Sequence, residues 1–111
     1  LISNENEKCF LEVKNVTLVR KNNIAEFPDA ITSRGTKHLN ELIRAKKKGY
    51  ESYILYLIQR ESCKSFKIAK DLDQKYKNAF NDALKNGVKI LCYDCKISNE
   101  EIILNNRINY E

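Results

Sequence analysis

Two amphipathic segments each end on a glycine and run into an apolar stretch, and this repeated order constrains the fold more than any other feature. The first runs from Thr32 or Ser33 to Lys48 and stops at Gly49, ahead of the apolar and aromatic run Tyr53 to Gln59. The second starts at Asp71 or Asp73, aligns Tyr76, Ala79, Phe80, Ala83 and Leu84 on one face, and stops at Gly87 ahead of Val88 to Tyr93. Short polar side chains satisfy the free N–H groups at a helix start, and glycine takes the left-handed conformation that ends one, so both segments read as capped helices. Helix then strand, twice over, predicts strands that lie parallel through a right-handed crossover.

Upstream, Cys9 to Leu18 alternates, with Cys9, Leu11 and Val13 on one face and Phe10, Glu12 and Lys14 on the other. The first face is expected to be core and the second to carry charge. Lys21-Asn22-Asn23 reads as a hairpin turn, and Ile24 to Phe27 as a second strand, ended by Pro28 and paired antiparallel with the first. A less regular segment holds Phe66 and Ile68, and Ile102 to Leu104 can add an edge strand. The order ββαβαβ, with that possible C-terminal edge strand, predicts an α/β fold in which a mixed sheet is flanked by helices. A chain of 111 residues is expected to form one domain, or one piece of a larger protein, and 42% hydrophobic residues with 3 Gly and 1 Pro suffice for its core. Collagen-like and disordered classes are excluded.

The longest strongly apolar run, Tyr53 to Ile58, is far short of the about 20 residues of a membrane-crossing helix. Residues 1–8 carry neither the basic nor the apolar block of a secretory signal, so the expectation is a cytoplasmic protein with no membrane partner. Reduced thiols are then expected at Cys9, Cys63, Cys92 and Cys95. Cys92 and Cys95 fall three apart on an expected strand, facing opposite sides, and with no second such pair and one His they do not favour a metal-thiolate site.

Charge is concentrated. The net charge is +5, and Arg34 to Lys48 holds six cations against one acid, Glu41. At about 100° per residue, Arg34, Lys37, Glu41, Arg44 and Lys48 share one arc of the helix while Leu39, Leu42 and Ile43 share another. A concentrated positive sector points to a polyanion. Thr32 to His38 adds to this, because a helix N-terminus offers N–H groups and positive dipole to a phosphate, Gly35 permits close approach, and Arg34 and Lys37 are fixed cations. An ordinary capped helix with a solvated basic face has the same pattern. His38 lies between the basic and apolar arcs, where packing or hydrogen bonding is its commoner use.

Glu12-Val13-Lys14 sets a carboxylate and an ammonium side by side on one strand face. Such a pair is either a surface contact worth at most about 1 kcal/mol or a site where the acid ligates a divalent ion and the amine stabilises charge at a phosphate. Gln59 and Arg60, at a strand end, have a solvated-pair reading as well as a site reading. Tyr50, Tyr53 and Tyr56 can stack on bases, although core packing explains their setting better.

The longer string Leu11-Glu12-Val13-Lys14-Asn15-Val16-Thr17-Leu18, then Phe27-Pro28-Asp29-Ala30, then Thr32-x-Arg34-Gly35-x-Lys37-His38-Leu39-x-Glu41-Leu42, closely resembles the sugar fermentation stimulation protein family. The likeness continues through Asp73, Tyr76 and Gly87-Val88 and covers nearly the whole chain. It implies the restriction-endonuclease-like C-terminal domain of a DNA-binding protein with a regulatory role in sugar utilisation. It also implies that Glu12 and Lys14 are the second half of a PD-(D/E)xK nuclease signature. The first acid of that signature, a preceding core strand and an OB-like N-terminal domain are expected upstream of Leu1 in family members. The resemblance therefore gives Glu12 and Lys14 as catalytic and Glu12 as a ligand for Mg2+ or Mn2+; Asp29, which matches a family position, or Glu26, which matches none, can stand in as the second acidic ligand, although no spacing requires either to reach the ion. Thr32, Arg34, Gly35, Lys37, His38, Arg44 and Lys48 would bind DNA. With one of the two metal-binding acids missing, weak or no hydrolysis is expected from the 111 residues alone.

Overall fold

The computed structural model describes residues 9–97 and 102–111. Its elements are β1 (Cys9–Val16), β2 (Leu18–Val19), β3 (Ile24–Phe27), α1 (Ser33–Lys47), β4 (Glu51–Ile58), β5 (Ser65–Ile68), α2 (Gln74–Lys85), β6 (Lys89–Ile97) and β7 (Ile102–Arg107). Four strands form one sheet in the order β1-β4-β6-β7, and three form another in the order β2-β3-β5. In the larger sheet β1, β4 and β6 are parallel and β7 is antiparallel to β6. The α/β class and mixed sheet thus agree with the sequence reading, and three details correct it.

First, the expected long strand breaks at Thr17. Its first part, β1, lies parallel to β4, and only Leu18 and Val19 turn back on β3, opposite Glu26 and Ala25. Asn22 and Asn23 both take φ of 56°, and the Ile24 N–H donates to the Lys21 carbonyl at 3.1 Å. Two successive left-handed residues suit the twist of a tight hairpin, and asparagine tolerates that conformation. Second, the segment around Phe66 and Ile68 is strand β5, parallel to β3, with both side chains buried.

Third, the core face of β1 is the opposite of the expected one. Glu12, Lys14 and Val16 align with Ile54, Tyr56 and Ile58 of β4, which in turn align with Ile90, Cys92 and Asp94 of β6. That face receives both helices, through Leu39, Leu42 and Ile43 of α1 and Tyr76, Ala79, Phe80 and Ala83 of α2. On the other face lie three rows: Leu11, Tyr53 and Lys89; Val13, Leu55 and Leu91; Asn15, Leu57 and Tyr93. Alternation alone fixes which residues share a face; burial is decided by which face the helices cover.

The aromatic centre joins the two sheets. Tyr56 stacks on Phe66 with centroids 4.5 Å apart, and Phe27 meets Tyr76 edge-on at 5.2 Å. Thr32 caps α1 by accepting from the Gly35 N–H at 3.0 Å, and Asp73 caps α2 by accepting from the Tyr76 N–H at 3.1 Å. Asp73 also accepts from the Thr32 N–H through its second oxygen at 2.9 Å. One buried carboxylate therefore starts α2 and ties it to the start of α1, each bond to the ionised acceptor contributing about 1.5–3 kcal/mol.

Candidate functional site

Glu12 and Lys14 project from β1, an edge strand of the larger sheet, toward α1, and His38 projects from α1 to meet them. Lys14 Nζ lies 2.7 Å from His38 Nδ1 and 3.5 Å from Glu12 Oε1, and His38 Nδ1 lies 3.3 Å from the same carboxylate oxygen. All three side chains are mostly buried, with 13–18% of their surface exposed. An ammonium has only donors, so the Lys14–His38 bond requires Nδ1 to accept and leaves the neutral ring's proton on Nε2. The imidazole and the carboxylate together hold the ammonium in place on a strand that, among the described residues, pairs with β4 alone.

Two tyrosines lie beneath this group. Tyr56 shares the row of Lys14, and its hydroxyl is hydrogen-bonded to that of Tyr76. Burial pushes both hydroxyls well above the ordinary tyrosine range; for Tyr76 the hydrogen bond to Tyr56 opposes this, while the Glu12 carboxylate adds to it. Both rings are completely buried, so Tyr56 is a packing residue and not a platform for bases.

Arg34, Lys37 and Arg44 on α1 and Lys48 at its C-terminal cap are all exposed, whereas Leu39 and Leu42 are buried. Spacings of 3, 7 and 4 keep the four cations on one face, and Arg34 lies one turn before His38 on neighbouring surface. The basic stripe and the Glu12–Lys14 pair are thus linked through His38. Thr32 and Gly35 have a different use from the one the sequence pattern implied. The Thr32 hydroxyl and the Gly35 N–H are bonded to each other, and the Thr32 N–H is taken by Asp73. Gly35 is buried, and a Cβ there would come within 3.0 Å of Tyr76 Cε1 and 2.9 Å of Thr32 Cγ2. Its missing side chain makes room for α2.

The acids expected to join Glu12 do not assemble around it. Asp29 is exposed in the bend after β3, and no described hydrogen bond or ion pair ties it to Glu12. Glu26 is buried and clamped: Arg20 Nε donates to its Oε2 at 2.8 Å and Arg20 Nη2 to its Oε1 at 2.6 Å. The same guanidinium donates from Nη1 to Asp71 Oδ2 at 2.7 Å and from Nη2 to Oδ1 at 2.8 Å. Its bonds hold the Glu26 carboxyl below the usual range and Asp71 at about 2. Among the described residues no group of three metal-binding side chains occurs. A divalent hard cation needs several oxygen ligands, and one carboxylate facing an ammonium does not provide them. The described residues alone therefore do not fit Mg2+ or Mn2+.

Sequence reasoning missed the Arg20–Glu26–Asp71 clamp. Asp71 is 51 positions from Arg20, and no local pattern signals such a contact. Gln59 donates to Asn15 at 3.0 Å, a strand-end tie that gives it a structural role. The four cysteines are free: Cys92 is under the helices with its thiol pushed up to about 12 by burial, and Cys95 donates to the Ile58 carbonyl at 3.2 Å. No described helix is long and apolar enough to cross a membrane.

Residues 1–101 match the model of the sugar fermentation stimulation protein RE domain. The chain belongs to this family. Homologues of the sugar fermentation stimulation protein include one from Pelagibacter ubique that is 52% identical over 97% of this chain and 47% of its own length. One from Bartonella quintana is 47% identical over 93% and 44%. The chain spans about half the length of the curated relatives it matches. Among solved structures, Pyrococcus furiosus SfsA in complex with Ca2+ superposes with a TM-score of 0.86 at 27% identity, over 98% of this chain and 47% of that one. The mixed sheet and two helices are therefore a sugar fermentation stimulation protein arrangement, and the calcium belongs to the Pyrococcus protein.

Proposed function

We propose that this chain binds DNA through its phosphate backbone, without reading bases, along the exposed edge of α1. It would thereby act as the nucleic-acid-binding part of a sugar fermentation stimulation protein homologue with a regulatory role in sugar metabolism. The contact that carries the reading is Lys14 Nζ to His38 Nδ1 at 2.7 Å, which joins the strand pair to the helix that bears the cations. Phosphate is drawn by Arg34, Lys37, Arg44 and Lys48, guanidinium and ammonium donors that form charge-assisted bonds to its oxygens. Lys14, held by the neutral His38 imidazole, extends that positive track to Glu12. Four neutralised phosphates give a slope of about −3.6 in log K against log salt, a loss of roughly 150-fold between 50 and 200 mM. Fluorescence anisotropy with a labelled duplex measures it, and Arg44→Ala with Lys48→Ala should halve the slope. Binding that ignores salt, or that keeps its slope in the double variant, overturns the reading.

A second reading is a metal-dependent nuclease of the PD-(D/E)xK type, favoured by the Glu12–Lys14 pair and by the calcium complex of the Pyrococcus relative. Lys14 would sit where it can stabilise charge on a cleaved phosphate, and Glu12 would provide one oxygen ligand, with further ligands from outside the described residues. Cleavage of duplex DNA by the natural polypeptide with Mg2+ or Mn2+, abolished by Glu12→Ala and by Lys14→Ala, supports it. Binding without cleavage leaves the first reading alone.

A further inference from the structure

The outer side of the smaller sheet carries a charged cavity that DNA binding along α1 leaves unused. Ala25 and Phe27 of β3 align with Phe66 and Ile68 of β5 on the core side, so Glu26 and its partner Lys67 point the other way. Arg20 and Lys21 reach this side from the turn after β2, and Asp71 from the turn after β5. Arg20, Lys21, Glu26, Lys67 and Asp71 line a cavity of about 320 Å³, at the lower end of the roughly 300–1,000 Å³ of small-molecule sites. Such sites are mostly apolar, whereas this lining is charged throughout, so its occupant must be small and polar all over.

The hydrogen-bonding groups define that occupant further. Arg20 donates one bond to each of the four carboxylate oxygens of Glu26 and Asp71, and each oxygen keeps a free lone pair. Glu26 is only 2% exposed, so its acceptors form the floor. Lys21 and Lys67 make no ion pair among the described residues, although the Lys67 charge is felt by both acids. Three cations against two carboxylates leave a net charge of +1. A bare anion would satisfy the ammoniums but set its own oxygens against the acids, whereas a hydroxyl donates to them. The DNA backbone lacks the 2′-hydroxyl that could do so. We propose that this cavity binds a small phosphate monoester of a polyhydroxy compound. Its phosphate lies on Lys21 and Lys67, its hydroxyls donate to Glu26 and Asp71, and Arg20 holds both acceptors in place. The inference does not depend on what α1 binds.

Amide chemical-shift titrations of the natural polypeptide test it, with glucose-6-phosphate as the probe and inorganic phosphate and glucose as controls. The probe should move the amides around Lys21, Glu26 and Lys67. It should bind at least about tenfold more tightly than either control, because each control forfeits one set of charge-assisted bonds. Lys21→Gln with Lys67→Gln should weaken the probe by about tenfold or more, while Arg44→Ala with Lys48→Ala on the DNA-binding stripe should change it by less than about twofold. No shift at the cavity, shifts confined to α1, equal affinity for the probe and inorganic phosphate, or an unchanged Kd in the Lys21 and Lys67 double variant would each overturn the proposal.

Discussion

Gly35→Ala separates two explanations of the same glycine, since the Thr32-x-Arg34-Gly35 pattern suits a phosphate cradle whereas the structure uses Gly35 to seat α1 against α2. A Cβ built there lies 2.9 Å from Thr32 Cγ2, 3.0 Å from Thr32 Oγ1 and 3.0 Å from Tyr76 Cε1. Neither neighbour gives way easily, because the Thr32 hydroxyl is held by the cap bond and the Tyr76 ring is fully buried. Overpacking of this kind costs about 1–3 kcal/mol, and a displaced cap costs about 1 kcal/mol. Alanine recovers about 0.5–1 kcal/mol through its lower backbone entropy cost. The net loss is about 1–3.5 kcal/mol, a drop of roughly 5–15 °C in Tm for a domain of this size. Thermal melts followed by circular dichroism measure it, with Asn40→Ala on the exposed side of α1 as a control that should not lower Tm. Anisotropy well below the melting range should show DNA affinity within about twofold of the parent, since twofold is only about 0.4 kcal/mol. An unchanged Tm with a large loss of affinity would refute the packing argument and return Gly35 to the phosphate.

Asp73→Ala removes the α2 cap and the tie to Thr32 together and should destabilise by about 2–4 kcal/mol, more than Asp73→Asn, in urea titrations. The Arg20 clamp predicts acid sensitivity. Its carboxyls titrate lower in the folded state than in the unfolded one, so their stabilisation is complete above the unfolded range near about 4 and is lost as pH falls toward the folded value of about 2 for Asp71. Arg20→Ala should therefore flatten the fall in Tm below about pH 4, and an unchanged slope would deny the clamp that role. Cys92, buried with its thiol pushed up to about 12, should resist iodoacetamide at pH 8 until the protein unfolds; rapid native labelling would show that it is not enclosed.

The helices were legible because their signals are local: Thr32 or Ser33 and Asp71 or Asp73 as caps, of which the structure uses Thr32 and Asp73, Gly49 and Gly87 as stops, and apolar residues at helical spacing between them. The return of β6 parallel to β4 followed from the helix between them. Strand partners were harder. Nothing near Thr17 signals that the chain abandons β4 and turns back on β3, and nothing in Ser65–Ile68 announces pairing with a strand some forty positions earlier. In the candidate site, the alternation of Glu12 and Lys14 and the basic stripe of α1 could be read directly. Their junction could not, because His38 reaches Lys14 from 24 positions away. Burial also misled: Val13 looked like core and is exposed, while Glu12 and Lys14 looked like surface and lie against a helix.

The meeting of strand and helix at Lys14 ties performance to posture. No single element owns the group: an acid and an amine ride on a border strand, and the imidazole rides on a helix whose seat is Leu39 and Leu42. A trimmed side chain in that seat, far from any solvent or polymer, would tilt the helix and pull the imidazole off the amine. Loss of activity in such a variant would then report a shift of the scaffold even though every polar residue was still present.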